Sequence, residues 1–73
     1  MLLHEAITEV LRRNGNRAMH AEDIAAEINR LGLYRKRDGG PVTARRNVVP
    51  RMTKERYRHL FESTAPRYYR LRE

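Results

Sequence analysis

The sequence has no cysteine and no long apolar run. Without cysteine, neither a disulfide framework nor a thiolate metal site can form. No apolar run approaches the roughly 20 residues that span a bilayer, and the apolar residues 1–3 are too few for a signal peptide. These absences predict a soluble cytoplasmic protein with no membrane partner.

The sequence also lacks the residue groups that catalysis requires. Its three histidines stand singly at positions 4, 20 and 59, whereas a metal site needs clustered ligands at set spacing. Residues 38–40, Asp-Gly-Gly, lack the pattern of a phosphate-binding loop. Asp38, Glu55 and Glu62 have no spacing that would form a nuclease metal site. We therefore expect no enzymatic activity, no cofactor and no metal in this chain.

Positive charge is concentrated in the second half of the chain, whose overall net charge is +7. Residues 1–34 contain four arginines against five acidic residues, whereas residues 35–73 contain twelve Lys and Arg residues against four acidic residues. Ten of those twelve are arginine, whose guanidinium forms paired hydrogen bonds with phosphate and guanine. This asymmetry predicts a nucleic-acid partner. The alternative is a solvated charged surface without a partner.

Apolar residues recur at helical spacing in two segments of the first half. They predict one helix over about residues 2–13 and another over about residues 21–31, with a short extended link over residues 17–20. Glu22 and Asp23 suit the positive end of the second helix dipole. Gly32 followed by Leu33 predicts a left-handed cap at its end, and residues 34–42 then read as a basic loop.

A third helix is predicted from Ala44, with Thr43 as its N-cap. Its inward residues are Ala44, Val48 and Met52, each one turn apart. The outward face and its flanks then carry Arg45, Arg46, Asn47, Val49, Pro50, Thr53 and Lys54. Proline costs about 3 kcal/mol in a helix interior. We therefore expect the helix either to kink at Pro50 or to restart with Pro50 in its first turn.

The last segment changes to a strand-like pattern. Residues 58–62 and 67–72 predict two strands, and residues 63–66, Ser-Thr-Ala-Pro, predict the turn between them. Phe61, Tyr69 and Leu71 would face the helices. The opposite face would carry Tyr68, Arg70 and Arg72. The whole order predicts one α+β domain over residues 1–73, a winged helix-turn-helix with three helices and a C-terminal β-hairpin wing.

The predicted arrangement gives each basic segment a role on double-stranded DNA. In a winged helix the third helix enters the major groove and the wing follows the backbone or minor groove. Arg and Asn pair bidentately with guanine and adenine edges, and a mobile basic loop suits phosphate contact. The candidate DNA-binding residues are Arg35, Lys36, Arg37, Thr43, Arg45, Arg46, Asn47, Val49, Pro50, Arg51, Thr53, Lys54, Arg67 and Arg70.

Several segments resemble the HARE-type winged-helix (HARE-HTH) domains. Residues 3–11 and 19–25 resemble the family's opening, and residues 60–62 and 69–71 its closing hairpin. Residues 33–34, 38–39, 48–52 and 57–61 are similar to the version fused to bacterial restriction endonucleases. The resemblance implies an N-terminal module that targets an attached catalytic domain to DNA, including modified DNA. Relatives in bacterial RNA polymerase subunits imply protein docking instead, and Pro50 departs from the helix-forming residue expected there.

We therefore expect a DNA-targeting module of a restriction-type or DNA-processing protein, associated with the nucleoid. Val49 and Pro50 suggest a finer role, because apolar side chains on the outward face suit the methyl group of thymine or 5-methylcytosine in the major groove. The alternative is that Val49 turns inward and packs on Met52.

Overall fold

Helices and short strands alternate along the chain in the computed structural model, which describes residues 1–72. Helix α1 (Leu3–Arg13) is followed by strand β1 (Met19–His20) and helix α2 (Ala21–Leu31). A π-helical turn (Ala44–Val48) continues into α3 (Val49–Thr53). A 3-10 turn (Arg58–Leu60) then precedes β2 (Phe61–Ala65) and β3 (Tyr68–Leu71). We call residues 44–53, the π turn with α3, the third helix.

The first two helices are confirmed, with bounds within one residue of the predicted ones. The backbone N–H of Leu2 donates to the Glu5 carboxylate (2.8 Å) at the start of α1. At the start of α2, the Nδ1 atom of His20 accepts from the N–H of Glu22 (3.1 Å). The predicted cap at Gly32 is also confirmed, since its φ is +66°, which glycine adopts without steric cost.

The third helix answers the question that Pro50 raised. Thr43 Oγ1 accepts from the N–H of Arg46 (3.2 Å) as the predicted N-cap. The N–H of Val48 then donates to the carbonyl of Thr43 five residues back (3.1 Å), so this turn is wider than an α-helical one. Pro50 follows in the first turn of α3, where no N–H is needed. The helix therefore restarts at Pro50 and still buries Ala44, Val48 and Met52.

The sheet is antiparallel in the order β1-β3-β2, with β3 at its centre. Two details of the predicted hairpin are wrong. Residues 58–60 form the 3-10 turn, so the strand begins at Phe61. Residues 63–65 belong to β2, and the turn is Pro66-Arg67, because Ala65 already pairs with Tyr68 across an irregularity in the register.

One core joins the helices to the hairpin. Its buried residues among those described are all apolar: Leu3, Ala6, Ile7, Val10, Leu11, Ala21, Ile24, Ala25, Ile28, Val42, Ala44, Val48, Met52 and Phe61. Tyr69 and Leu71 pack against it from β3, as predicted. Asn16 fixes the hairpin, since its amide both donates to the Leu71 carbonyl (3.2 Å) and accepts from the Leu71 N–H (2.7 Å). Within residues 1–72, no helix has the length and apolar character that crossing a membrane requires.

Candidate nucleic-acid interface

The start of the third helix presents two exposed arginines, Arg45 and Arg46. Within residues 1–72, neither guanidinium has a carboxylate within ion-pair distance. Thr43 caps the turn directly beneath them and fixes the direction of the backbone. Further along the helix, Pro50, Thr53 and Lys54 are exposed as well. The outward face is therefore cationic and available to an anionic partner.

Asn47 has a structural task at this site. Its Oδ1 atom accepts from the backbone N–H of Thr43 (2.9 Å) and lies 3.4 Å from the Thr43 hydroxyl. Reading an adenine edge bidentately needs both the oxygen and the nitrogen of the amide. Because the oxygen is already engaged in closing the first turn, Asn47 is better placed to hold Arg45 and Arg46 in position than to contact a base.

The two apolar residues expected on the outward face differ in exposure. Pro50 is exposed, whereas Val49 is half-buried and packs against the core. The carbonyl of Val49 also accepts from the Thr53 hydroxyl (2.8 Å). The surface next to the arginines is therefore formed by the proline ring, and Val49 lies nearer to its inward alternative.

The basic loop is anchored at both ends. Leu33 and Tyr34 pack against the core at its beginning. At its end, Asn29 of α2 donates from Nδ2 to the Val42 carbonyl (2.8 Å) and accepts from the Val42 N–H on Oδ1 (2.9 Å). These anchors fix where the loop leaves α2 and where the third helix begins.

The three cations of the loop are not equivalent. Arg35 and Arg37 are exposed, whereas the Lys36 side chain is only 24% exposed and its Nζ lies 3.8 Å from an Asp38 oxygen. The N–H of Gly40 hydrogen-bonds to Asp38 (2.8 Å) and, with the charge of Lys36, holds the pKa of that carboxyl below its ordinary value. Asp38 is thus a carboxylate that offsets Lys36, and Arg35 and Arg37 carry the uncompensated charge.

Arg67 lies in the hairpin turn, close to the third helix. Its carbonyl accepts from the N–H of Ala21 at the start of α2 (2.9 Å), which ties the turn to the helices. Arg67 and Arg45 line one groove, together with Thr43. The hairpin turn therefore adds a cation to the surface of the third helix.

Arg70 is placed differently from Arg67. It lies on the exposed face of the sheet, and its Nε is 3.1 Å from a Glu62 oxygen on the neighbouring strand. Of the two wing arginines among the candidates, the structure therefore brings only Arg67 to the third helix.

The exposed side of α1 and α2 has a different electrostatic character. Arg13 pairs with Glu9 (2.8 Å), and Arg30 pairs with Glu27 (2.8 Å). The hydrogen bond from Arg30 lowers the pKa of Glu27, which keeps this carboxyl ionised. Positive charge on this side is compensated locally, so the uneven charge along the sequence is also uneven in space.

One group of residues at the end of the third helix was not foreseen as a unit. The guanidinium carbons of Arg51 and Arg56 lie 5.4 and 5.9 Å from the ring centre of Tyr57. That ring stacks on His4 of α1 at 4.4 Å with an angle of 21° between the planes. Arg51 was a candidate residue, whereas Arg56 and Tyr57 were missed. The local signal was the run of basic residues around a tyrosine over residues 54–58.

Comparison with known families agrees with this geometry. The HARE-HTH family model, whose description names ASXL and restriction endonucleases as carriers of this HTH domain, matches residues 1–73, the whole chain. Neither the curated proteins nor the solved structures gave a significant match. The three helices and antiparallel hairpin form the expected α+β winged helix. The chain therefore belongs to the HARE-HTH family of DNA-binding helix-turn-helix domains.

Proposed function

We propose that this domain binds double-stranded DNA through the third helix, the loop before it and the hairpin turn. The observation that carries the proposal is the uncompensated charge of Arg45 and Arg46 on the third helix, with Arg67 lining the same groove as Arg45. These cations lie on elements that the core holds rigidly. Such preorganised arginines lose little conformational freedom when they bind phosphate or guanine.

The proposed contacts divide into two kinds. Arg45 and Arg46 enter the major groove with the start of the third helix, where a guanidinium can pair with the O6 and N7 atoms of guanine. Arg35, Arg37 and Arg67 contact phosphates, which fixes the register of the domain but carries no sequence information. Thr43 and Asn47 support the first kind of contact by holding the helical turn.

A salt titration of duplex binding tests this proposal. If about five phosphates are neutralised, the logarithm of the binding constant falls against the logarithm of salt concentration with a slope near −4.5. Fluorescence anisotropy with a labelled duplex measures the slope. An affinity that stays constant from low to moderate salt contradicts the electrostatic mechanism.

We further propose that the domain targets an attached catalytic domain of a restriction-type or DNA-processing protein to the nucleoid. The support is the description of the family, which names restriction endonucleases, together with the lack of catalytic residue groups in this sequence. The full-length protein tests the idea directly. Deleting residues 1–73 is expected to weaken its binding to DNA, and unchanged binding contradicts the targeting role.

A finer proposal concerns methylated bases. Pro50 is exposed beside the arginines of the third helix, and an apolar ring there suits the methyl group that 5-methylcytosine presents in the major groove. Matched duplexes that differ only in cytosine or adenine methylation provide the test. Affinities equal within about 0.5 kcal/mol would reduce the function to plain duplex binding.

Docking on a protein such as RNA polymerase is the second candidate function. It is favoured by a groove between α1, β1 and α2, on the side with paired charges, that is bordered by the 42% exposed Tyr68. The two functions predict different sensitive surfaces. Tyr68→Ala should weaken protein docking and leave duplex affinity unchanged, whereas Arg46→Ala should do the reverse.

A further inference from the structure

The turn after the third helix folds back tightly against α1. The N–H groups of Tyr57 and Arg58 both donate to the carbonyl of Lys54, at 2.9 and 2.8 Å. This turn brings the Tyr57 ring onto the ring of His4, in the first turn of α1, at a centre-to-centre distance of 4.4 Å. The buried Nδ1 atom of His4 has no hydrogen-bond partner within residues 1–72. Packing against Tyr57, rather than a hydrogen bond through Nδ1, therefore places this ring.

The Tyr57 ring also attracts two arginines. The guanidinium groups of Arg51 and Arg56 lie within 6 Å of the ring centre, the range in which a cation is attracted to the aromatic face. Neither guanidinium has a carboxylate within ion-pair distance in the part of the chain that the structure describes. Arg13 and Arg30, by contrast, each pair with a glutamate. Arg51 and Arg56 are therefore oriented by a ring that leaves their charge uncompensated.

This pair of arginines lies on a different flank of the third helix from the hairpin turn. Arg45, near the start of the helix, shares a groove with Arg67. Arg51, near its end, lies beside Tyr57 and so faces the first turn of α1. A helix in the major groove has a phosphate backbone on each side. Cations on both flanks can therefore meet phosphates of both strands.

We propose that Arg51 and Arg56, oriented by Tyr57, form a second phosphate-binding site that contacts the strand away from the hairpin turn. This inference rests on the proposed duplex binding. The guanidinium fork suits the oxygens of a phosphodiester, and holding it before binding reduces the conformational entropy lost in the complex. Tyr57 acts here as a positioning residue, since it orients the arginines and need not contact DNA itself. Exposed Lys54 and Arg58 add positive charge around the site, and exposed Glu55 offsets part of it.

Salt titrations of duplex binding with four variants test this site. Arg56→Ala removes one exposed phosphate ligand, so the salt slope should become less steep by about 0.9, with the same loss of affinity on every duplex sequence. Arg30→Ala is the matched control, because it removes the same charge from an arginine that is paired with Glu27. Its affinity should stay within about twofold of the unmodified domain.

The other two variants test the positioning role. Tyr57→Phe keeps the aromatic face and should bind within about twofold of the unmodified domain. Tyr57→Leu removes the attraction for both guanidinium groups and should weaken binding about fivefold. Circular dichroism checks folding, and Arg56→Ala, at an exposed position, keeps the test valid if Tyr57→Leu unfolds.

The outcomes separate the site from the function on which it rests. If the unmodified domain binds duplex and Arg56→Ala leaves the slope unchanged, the second site is refuted while the proposed function stands. If Arg56→Ala weakens only particular sequences, the contact is to a base and not to a phosphate. If Tyr57→Phe binds as weakly as a folded Tyr57→Leu, the aromatic face does not orient the arginines. If the unmodified domain binds no duplex, the proposed function and the site fail together.

Discussion

Replacing Arg67 by glycine should separate the stability of the hairpin from its function. Arg67 has a φ of +67° in a two-residue turn after Pro66. Side chains with a Cβ atom lose roughly 1–2 kcal/mol in the left-handed region, whereas glycine does not. The turn is held in this shape by the hydrogen bond from the Ala21 N–H to the Arg67 carbonyl, which any residue at this position keeps.

The magnitude follows from comparing Arg67→Gly with Arg67→Ala. Both variants remove the guanidinium, but only alanine keeps the strained Cβ atom. Glycine loses about 0.5–1 kcal/mol more conformational entropy on folding, so Arg67→Gly should exceed Arg67→Ala in the free energy of unfolding by about 0.5–1 kcal/mol. This corresponds to roughly 2–8 °C in Tm for a domain of this size, and thermal unfolding followed by circular dichroism measures it.

Duplex binding should respond to the two Arg67 variants in the same way. Each loses one phosphate contact, so the salt slope should become less steep by about 0.9 in both. Equal stability of Arg67→Gly and Arg67→Ala would refute the left-handed turn at this position. A salt slope unchanged from the unmodified domain would instead remove Arg67 from the interface.

Three further substitutions test other parts of the account. Asn29→Ala breaks both hydrogen bonds to Val42 and should lower the free energy of unfolding by about 2 kcal/mol, as measured by urea denaturation. Arg46→Ala should reduce discrimination between duplex sequences by roughly 1–3 kcal/mol, and a larger loss of binding with Arg12→Ala would mean that the docking face is wrong. Pro50→Ala restores a backbone N–H and should convert the π turn to regular α-helix; rapid hydrogen exchange at the residue-50 amide would contradict this.

The helices were predictable because their signals are local. The apolar spacing of α1 and α2 and the glycine after α2 are patterns within about ten residues, and the structure agrees with them closely. The N-cap at Thr43 is similarly local. The cationic second half followed from residue counts alone. These features require no knowledge of what packs against what.

The details that sequence reasoning missed depend on small energy differences or on distant contacts. A π turn and an α turn bury the same apolar stripe, so the pattern around Pro50 could not distinguish them. The hairpin turn shifted toward Arg67 because Ser63 and Ala65 pair irregularly with β3. The stacking of Tyr57 on His4 joins residues far apart in the chain, which spacing alone cannot reveal.

The roles of individual polar residues were the least predictable part of the interface. Asn47 reads from sequence as a base contact, but its oxygen closes the helical turn with Thr43. Lys36 and Arg70 read as free cations, but each lies near a carboxylate, of Asp38 and Glu62 respectively. Such pairings depend on the fold, because side chains that are close in space need not be neighbours in a regular pattern.

An NMR titration of the ¹⁵N-labelled domain with a DNA duplex tests the central claim most directly. If the third helix and its flanks bind DNA, amide shifts should change most at Arg45, Arg46 and Arg67, with smaller changes in residues 35–37. The amides of Arg13 and Arg30, on the side with paired charges, should change little. Shift changes centred on Arg13 and Arg30 instead, with the third helix unaffected, would contradict the proposed interface.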